Sequence, residues 1–273
     1  MTAQPAQTAR LAVDDLREEL SKPIFNHVLK TFVGEGKLDY ELYLKTSDLF
    51  TLQSGTDELS CSEELMFQIV HQVQEMWLKL LTHELTELVG ELDGDALWDA
   101  SARLERIIRI SHCLGGELHV LDTLTPDTYQ TIRRHLGNGS GQESPGFNRV
   151  RVAAEYVAET IDRLVDRRGT SIYDVYAVPD PARLDLKRVL ECLVDVDQAY
   201  QTWLFNHFML VRRTIGVSRG TAALDGVSTQ ILAGRMTQPL FRRLWKVREQ
   251  MTATWNRGGG YAPGAERTTR TGL

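Results

Sequence analysis

The 273-residue chain has no run near the ~18 consecutive apolar residues that a membrane-crossing helix needs. Its opening, Met1-Thr-Ala-Gln-Pro5, lacks a secretory pattern. A membrane partner is therefore not expected, and the location is read as cytoplasmic. Cysteine is scarce: Cys61, Cys113 and Cys192 are few, odd in number and far apart, which suits reduced thiols and excludes a disulfide framework or a zinc cluster. A basic surplus is also lacking, since 31 Lys+Arg against 37 Asp+Glu leave a net charge of −6. Nucleic acid is excluded as a partner on that ground. Arg133-Arg134 and Arg212-Arg213 are local pairs, suited to carboxylates. Several chemical signatures are missing too. None of the seven histidines follows a glutamate by three residues, so a di-iron carboxylate site is out. His83-Glu-Leu-Thr-Glu87 fails as a zinc-protease motif, and no Cys-x-x-Cys-His, serine-hydrolase or phosphate-loop pattern occurs.

No alternating strand pattern of useful length and no internal repeat is found, and helical periodicity dominates. The 42% hydrophobic and 25% charged residues are ordinary for a globular protein with a sizeable core. Residues 1–22 read as a mobile arm or peripheral helix ended by Lys22-Pro23, residues 23–256 as a single all-α domain, and 257–273 as a disordered Gly- and Thr-rich tail. Ser60 with Glu63 forms a capping-box pattern ahead of a long helix. That helix has an apolar stripe of Met66, Val70, Val73, Trp77, Leu80, Leu81 and Leu88. Further helices are expected over about 94–121, from Pro126 to Leu136, from Asn148 to Arg168, over about 182–214 and over about 238–255. Thr125-Pro126 serves as N-cap and first turn, and Gly137–Gly146 as a loop. The architecture is a helical bundle.

Two histidines stand out. Phe67 and His71 lie one turn apart beside the stripe of the first long helix. His207 lies on the apolar face of the second, with Val189, Leu193, Val196, Tyr200, Trp203, Leu210 and Val211. After the eliminations above, the residues alone leave two readings. One is a cofactor-free bundle with satisfied core histidines; the other is non-covalent heme held by one imidazole, which needs no further motif.

Four ordered blocks, spread from about residue 38 to 250, resemble the tryptophan 2,3-dioxygenase family of histidine-ligated heme oxygenases. They are Tyr40-Glu-Leu-Tyr43-Leu44; Phe67-Gln-Ile-Val-His71-Gln-Val-Gln-Glu75-Met-Trp77-Leu-Lys79; Leu124-Thr-Pro-Asp-Thr-Tyr129-Gln-Thr-Ile-Arg133; and Trp203-Leu-Phe-Asn-His207 with Ile215-Gly-Val-Ser-Arg219-Gly220-Thr221. The resemblance implies heme b between the long helices, ferrous when active, with O2 as co-substrate and His207 as the axial ligand. It makes His71 the catalytic histidine on the opposite side, near the substrate's ring N–H, with Phe67 stacking on the indole. Arg133 and Tyr129 are implied to bind the carboxylate of a small aromatic amino acid, and Thr221 its ammonium. Tyr40, Tyr43 and Leu44 are implied to reach the site of a neighbouring subunit in a homotetramer.

The chain departs from the family pattern in three places. Gly141-Gln-Glu-Ser-Pro-Gly146 replaces a Gly-Phe-Gln-Ser loop, Phe208-Met-Leu210 replaces small hydroxyl residues, and Ala222-Ala-Leu224 replaces glycines. The implied reaction is dioxygenation of L-tryptophan to N-formylkynurenine. Mono-oxygenation of a tryptophan derivative, for instance to a 2-oxindole, or of tyrosine, is the alternative these departures keep open. A non-catalytic heme sensor or helical interaction protein is the alternative of another class.

Overall fold

The computed structural model describes residues 13–20, 38–137, 139, 141–236, 238–255 and 264. Most of the expected N-terminal arm, and the expected tail apart from Gly264, lie outside them. The chain divides into two compact units, Met1–Ser54 and Gly55–Leu273. In the first, residues 13–20 are helical, and two short helices, Asp39–Leu44 and Thr46–Leu49, meet at Lys45, whose φ of 53° is left-handed. Tyr40, Tyr43 and Leu44 are exposed within that unit, Tyr43 by 87%.

The second unit contains α1 (Glu63–Asp93), α2 (Leu97–Leu121), α3 (Pro126–Arg133), α4 (Pro145–Arg167), α5 (Ile172–Ala177), α6 (Leu184–Thr214), α7 (Thr229–Met236) and α8 (Arg242–Thr254). Among the described residues there is no strand, only an isolated bridge between Ala222 and Ser228. The fold is all-α, as expected, and no described helix is long and apolar enough to cross a membrane.

Helix α2 is the spine: α1 and α6 both pack along it, and α4 packs on the other side of α1. The α2–α6 approach is close at Gly115, where an added Cβ would lie 3.9 Å from the Trp203 Cα and where Asn206 Nδ2 donates to the Gly115 carbonyl at 3.4 Å. Along α1, Arg103 of α2 donates to Glu84 at 2.8 Å and Glu91 at 2.7 Å, and Arg106 adds a bond to Glu84 at 3.0 Å. These pairs satisfy a buried carboxylate that would otherwise oppose folding.

The stripes expected on α4 and α6 are buried or half-buried as read. On α1 the stripe needs correction. Val70, Leu81 and Leu88 are buried, but Leu80 is exposed and Met66, Val73 and Trp77 are only half-buried; the buried line runs Val70, Gln74, Leu78, Leu81, Leu85, Leu88, Leu92. A polar residue in that line hid its true phase. The capping box also shifts: α1 begins at Glu63, and Ser60 gives both its N–H and its hydroxyl to Glu64, each at 2.6 Å. The loop over 137–146 is shorter than expected. A 3-10 turn covers Gly141–Glu143, and Pro145 opens α4 with the Ser144 hydroxyl accepting from the Phe147 N–H at 3.0 Å. Gly169, at φ 60°, and Gly216, at φ 77°, end α4 and α6 in the left-handed region that favours glycine. Short α5 and α7 were not anticipated.

Candidate active site

On α1, the ring of Phe67 lies 4.1 Å from that of His71 and 6.2 Å from that of Tyr129 on α3, centroid to centroid. The His71 Nδ1 lies 2.7 Å from the Phe67 carbonyl. A carbonyl only accepts, so Nδ1 carries the proton and donates, and Nε2 keeps a free lone pair. Burial pushes the His71 imidazole below its ordinary pKa, against the Phe67 carbonyl and the Glu75 carboxylate, which pull upward. Protein crowds the ring, yet the residue as a whole remains exposed.

Tyr129 precedes Arg133 by one turn of α3. Burial raises the phenol's pKa and the Arg133 charge lowers it, so the hydroxyl keeps its proton at neutral pH. Arg133 is half-buried and donates through Nη2 to the Ala222 carbonyl at 3.0 Å, which ties α3 to the Gly220-Thr221 loop. Arg134 beside it is exposed. In the loop, the Thr221 and Ser218 hydroxyls lie 2.8 Å apart, and the Thr229 N–H donates to the Thr221 carbonyl at 3.1 Å.

His207 is more deeply enclosed. Burial pushes its pKa down to about 4, and a proton on His71 would push the same way. Among the described residues no hydrogen-bond partner engages either of its ring nitrogens. A Cβ added at Gly141 would lie 3.8 Å from Nε2. Phe67, His71, Tyr129, Arg133 and the Thr221 loop are thus linked by contacts, while His207 lies beside Gly141. Tyr40, Tyr43 and Leu44 belong to the other compact unit.

The sequence profile described as Tryptophan 2,3-dioxygenase matches residues 26–160. A tryptophan 2,3-dioxygenase of Xanthomonas euvesicatoria pv. vesicatoria is 30% identical over 263 residues, covering 78% of this chain and 88% of that protein. The chain belongs to the tryptophan 2,3-dioxygenase family. Proteins of that name from Saccharopolyspora erythraea, 28% identical over 85% of this chain and 98% of theirs, and Herpetosiphon aurantiacus, 27% identical over 78% and 98%, are similar over comparable spans.

The family is one of heme- and O2-using oxidoreductases. The residues present fit that group. A neutral, otherwise unpartnered imidazole is the donor that heme iron takes from a protein. Glycine at 141 puts no side chain beside the His207 ring, where an added Cβ would make ordinary contact with Nε2 at 3.8 Å. Helices α1 and α6, which carry the two histidines, both pack along α2.

Two residues of consequence were missed in the sequence. Gln74 donates to the Leu114 carbonyl at 2.9 Å and accepts from Trp203 Nε1 at 2.8 Å, bridging α1, α2 and α6. Asp197 is fully buried and accepts from the Leu240 N–H at 2.8 Å, the Phe241 N–H at 3.2 Å, Trp245 Nε1 at 2.7 Å and Gln201 Nε2 at 3.2 Å. A polar residue at an apolar helical position was the available signal for both.

Proposed function

We propose that this protein dioxygenates L-tryptophan at the indole C2–C3 bond, giving N-formylkynurenine. The observation that carries the reading is the committed tautomer of His71. With Nδ1 bonded to the Phe67 carbonyl at 2.7 Å, Nε2 is an acceptor beside Phe67 and Tyr129. An indole N–H supplies the matching donor, and the Phe67 ring supplies a face for the indole. His207, neutral to about pH 4, would hold heme through Nε2. Bound heme supplies the iron centre at which O2 is activated for insertion into the indole.

The remaining work falls to the chain's own groups. Arg133 commits one N–H to the Ala222 carbonyl and has others in its fork for the substrate carboxylate. The protonated Tyr129 hydroxyl donates to the same carboxylate, and the Thr221 hydroxyl accepts from the ammonium. These contacts fix the polar end of the amino acid, so the ring is held by orientation and not by chance encounter. His71 holds the indole N–H through Nε2 and can take that proton if charge develops on the ring.

A cytoplasmic homotetramer, with Tyr40, Tyr43 and Leu44 reaching a neighbour's site, is part of the proposal. Support comes from the resemblance and from the exposure of those three side chains within their own unit. Incubation of reduced, heme-loaded protein with L-tryptophan under isotopically labelled O2 tests the central reading. Two labelled atoms in the product are expected; one label would replace dioxygenation by mono-oxygenation, and no oxygenated tryptophan would end the assignment of substrate.

A further inference from the structure

Glu75 follows His71 by one turn of α1 and has no role in the mechanism above. Its Oε1 accepts from the Ser144 hydroxyl, and its Oε2 accepts from the Gly146 N–H at 3.0 Å. The same Ser144 oxygen caps α4 by accepting from the Phe147 N–H at 3.0 Å. Asn148 Nδ2 tightens the segment from below, donating to the Gln142 carbonyl at 3.1 Å and the Ser144 carbonyl at 3.0 Å. An anion at a helix N-terminus is favourable wherever it occurs, so capping alone explains part of this arrangement. Capping does not explain where the segment leads. Six residues of chain, Gly141–Gly146, run from beside the His207 ring to the Glu75 carboxylate, one turn of α1 from His71. Gly146 sits so close to α1 that an added Cβ would lie 2.7 Å from both Glu75 Oε2 and Leu78 Cβ, so the downstream end is clamped against that helix.

We propose that Glu75 is a positioning residue: through Ser144 and Gly146 it holds the Gly141–Glu143 turn as a strap beside His207, and so governs how long heme is retained. The proposal rests on the reading above that heme lies between His71 and His207. Loss of the carboxylate frees the strap at the end away from His207, and the turn beside that ring then loses its fixed position.

Amide exchange in the heme-free protein tests the clamp without the cofactor. In E75A the Gly146 amide and the 141–144 segment should exchange at least about tenfold faster, while E75Q, which keeps an acceptor oxygen, stays within about threefold of the parent. Exchange within twofold of the parent in E75A would overturn the clamp. Should E75A fail to fold, E75D, which draws the carboxylate back by one methylene and leaves the Ser144 cap of α4 in place, carries the same test. Heme transfer to a scavenging apoprotein and the C–O stretch of the CO adduct then test the consequence. Release about tenfold faster, with a broadened stretch, is expected for E75A and rescued in E75Q. A loosened strap with unchanged release and stretch would overturn the role in retention. A parent protein that takes up no heme would overturn the underlying reading, while the exchange result would still decide the clamp.

Discussion

Gly146→Ala should be among the more damaging single-methyl additions in this protein. The new Cβ would lie 2.7 Å from Glu75 Oε2, 2.7 Å from Leu78 Cβ and 3.2 Å from Leu78 Cδ1. The carboxylate is the end of a flexible side chain and can swing aside. Leu78 Cβ is fixed to α1 and cannot, so the helices must part by several tenths of an ångström. Overpacking of this kind costs about 1–3 kcal/mol. Displacing the carboxylate also weakens its charge-assisted bond to the Gly146 N–H, worth about 1.5–3 kcal/mol if lost entirely. Against this stands a gain of about 0.5–1 kcal/mol for alanine over glycine in a helix, smaller in the first turn. A net loss of about 2–4 kcal/mol follows, read as a lower urea midpoint with an unchanged slope. Gly116→Ala is the matched control: an added Cβ there meets nothing within 4 Å inside α2. It should stabilise by about 0.5–1 kcal/mol. If both variants moved stability in the same direction, or Gly146→Ala stayed within about 0.5 kcal/mol of the parent, the close α1–α4 approach would be wrong.

Asp197→Ala would leave the Leu240, Phe241 and Trp245 donors unpaired, at about 1–3 kcal/mol each where they stay buried. The expected outcome is release of α8 before global unfolding, seen as early proteolytic cleavage near residues 238–241; cleavage elsewhere first would count against this anchor. His207→Ala should abolish the Soret band of reconstituted protein, whereas His71→Ala should keep it and lose turnover by about a hundredfold or more. The reverse pattern would exchange the two roles. In the heme-free protein, burial holds the His207 pKa at about 4, whereas in the unfolded chain it titrates near about 6.5. The unfolded state therefore binds its proton first as acidity rises. Stability from this group is full above about pH 6.5 and falls by up to about 1.4 kcal/mol per unit down to about pH 4. Urea midpoints at pH 7 and pH 5 should accordingly differ more in the parent than in His207→Leu, and equal differences would refute it.

The periodicity of apolar residues is enough to give the bundle, because α4 and α6 bury long apolar stripes such as Val150, Ala154, Val157 and Ile161. It failed where polar side chains enter the core. Gln74 occupies a buried position on α1, and counting only apolar residues rotated the expected face toward Leu80. The start of α4 was misread for a different reason. Ser144-Pro145 is a strong N-terminal signal, with the cap and proline at the first position, but the glycines around it resemble a loop. Ser60 pairs with Glu64 in place of Glu63, a shift of one residue that spacing alone does not resolve. Within the candidate site, Phe67, His71, Tyr129 and Arg133 are within two helical turns of one another on their own helices, and local sequence blocks carried them. Glu75 was visible in the same block, but its meaning depends on Ser144 and Gly146, which lie far along the chain and reach it only in the folded bundle.

The distribution of polar groups along α1 explains how one helix serves both stability and chemistry. Beyond Trp77 its buried line is Leu78, Leu81, Leu85, Leu88 and Leu92, interrupted only by Glu84, which α2 neutralises. Such packing tolerates small sliding motions, since dispersion has little directional preference. Nearer the histidines the line contains Gln74, whose amide is satisfied at both ends: by the Leu114 carbonyl at 2.9 Å and by Trp203 Nε1 at 2.8 Å. A buried amide is unfavourable unless both ends are met, so it permits one separation of the three helices and penalises others. Trp203 is one turn before His207, and Gln74 is less than one turn beyond His71. The directional bond therefore lies at the height where α1 and α6 present their imidazoles, and the non-directional packing lies where only cohesion is required. If heme is gripped by His207 and faced by His71 as proposed, that spacing must be fixed before it binds.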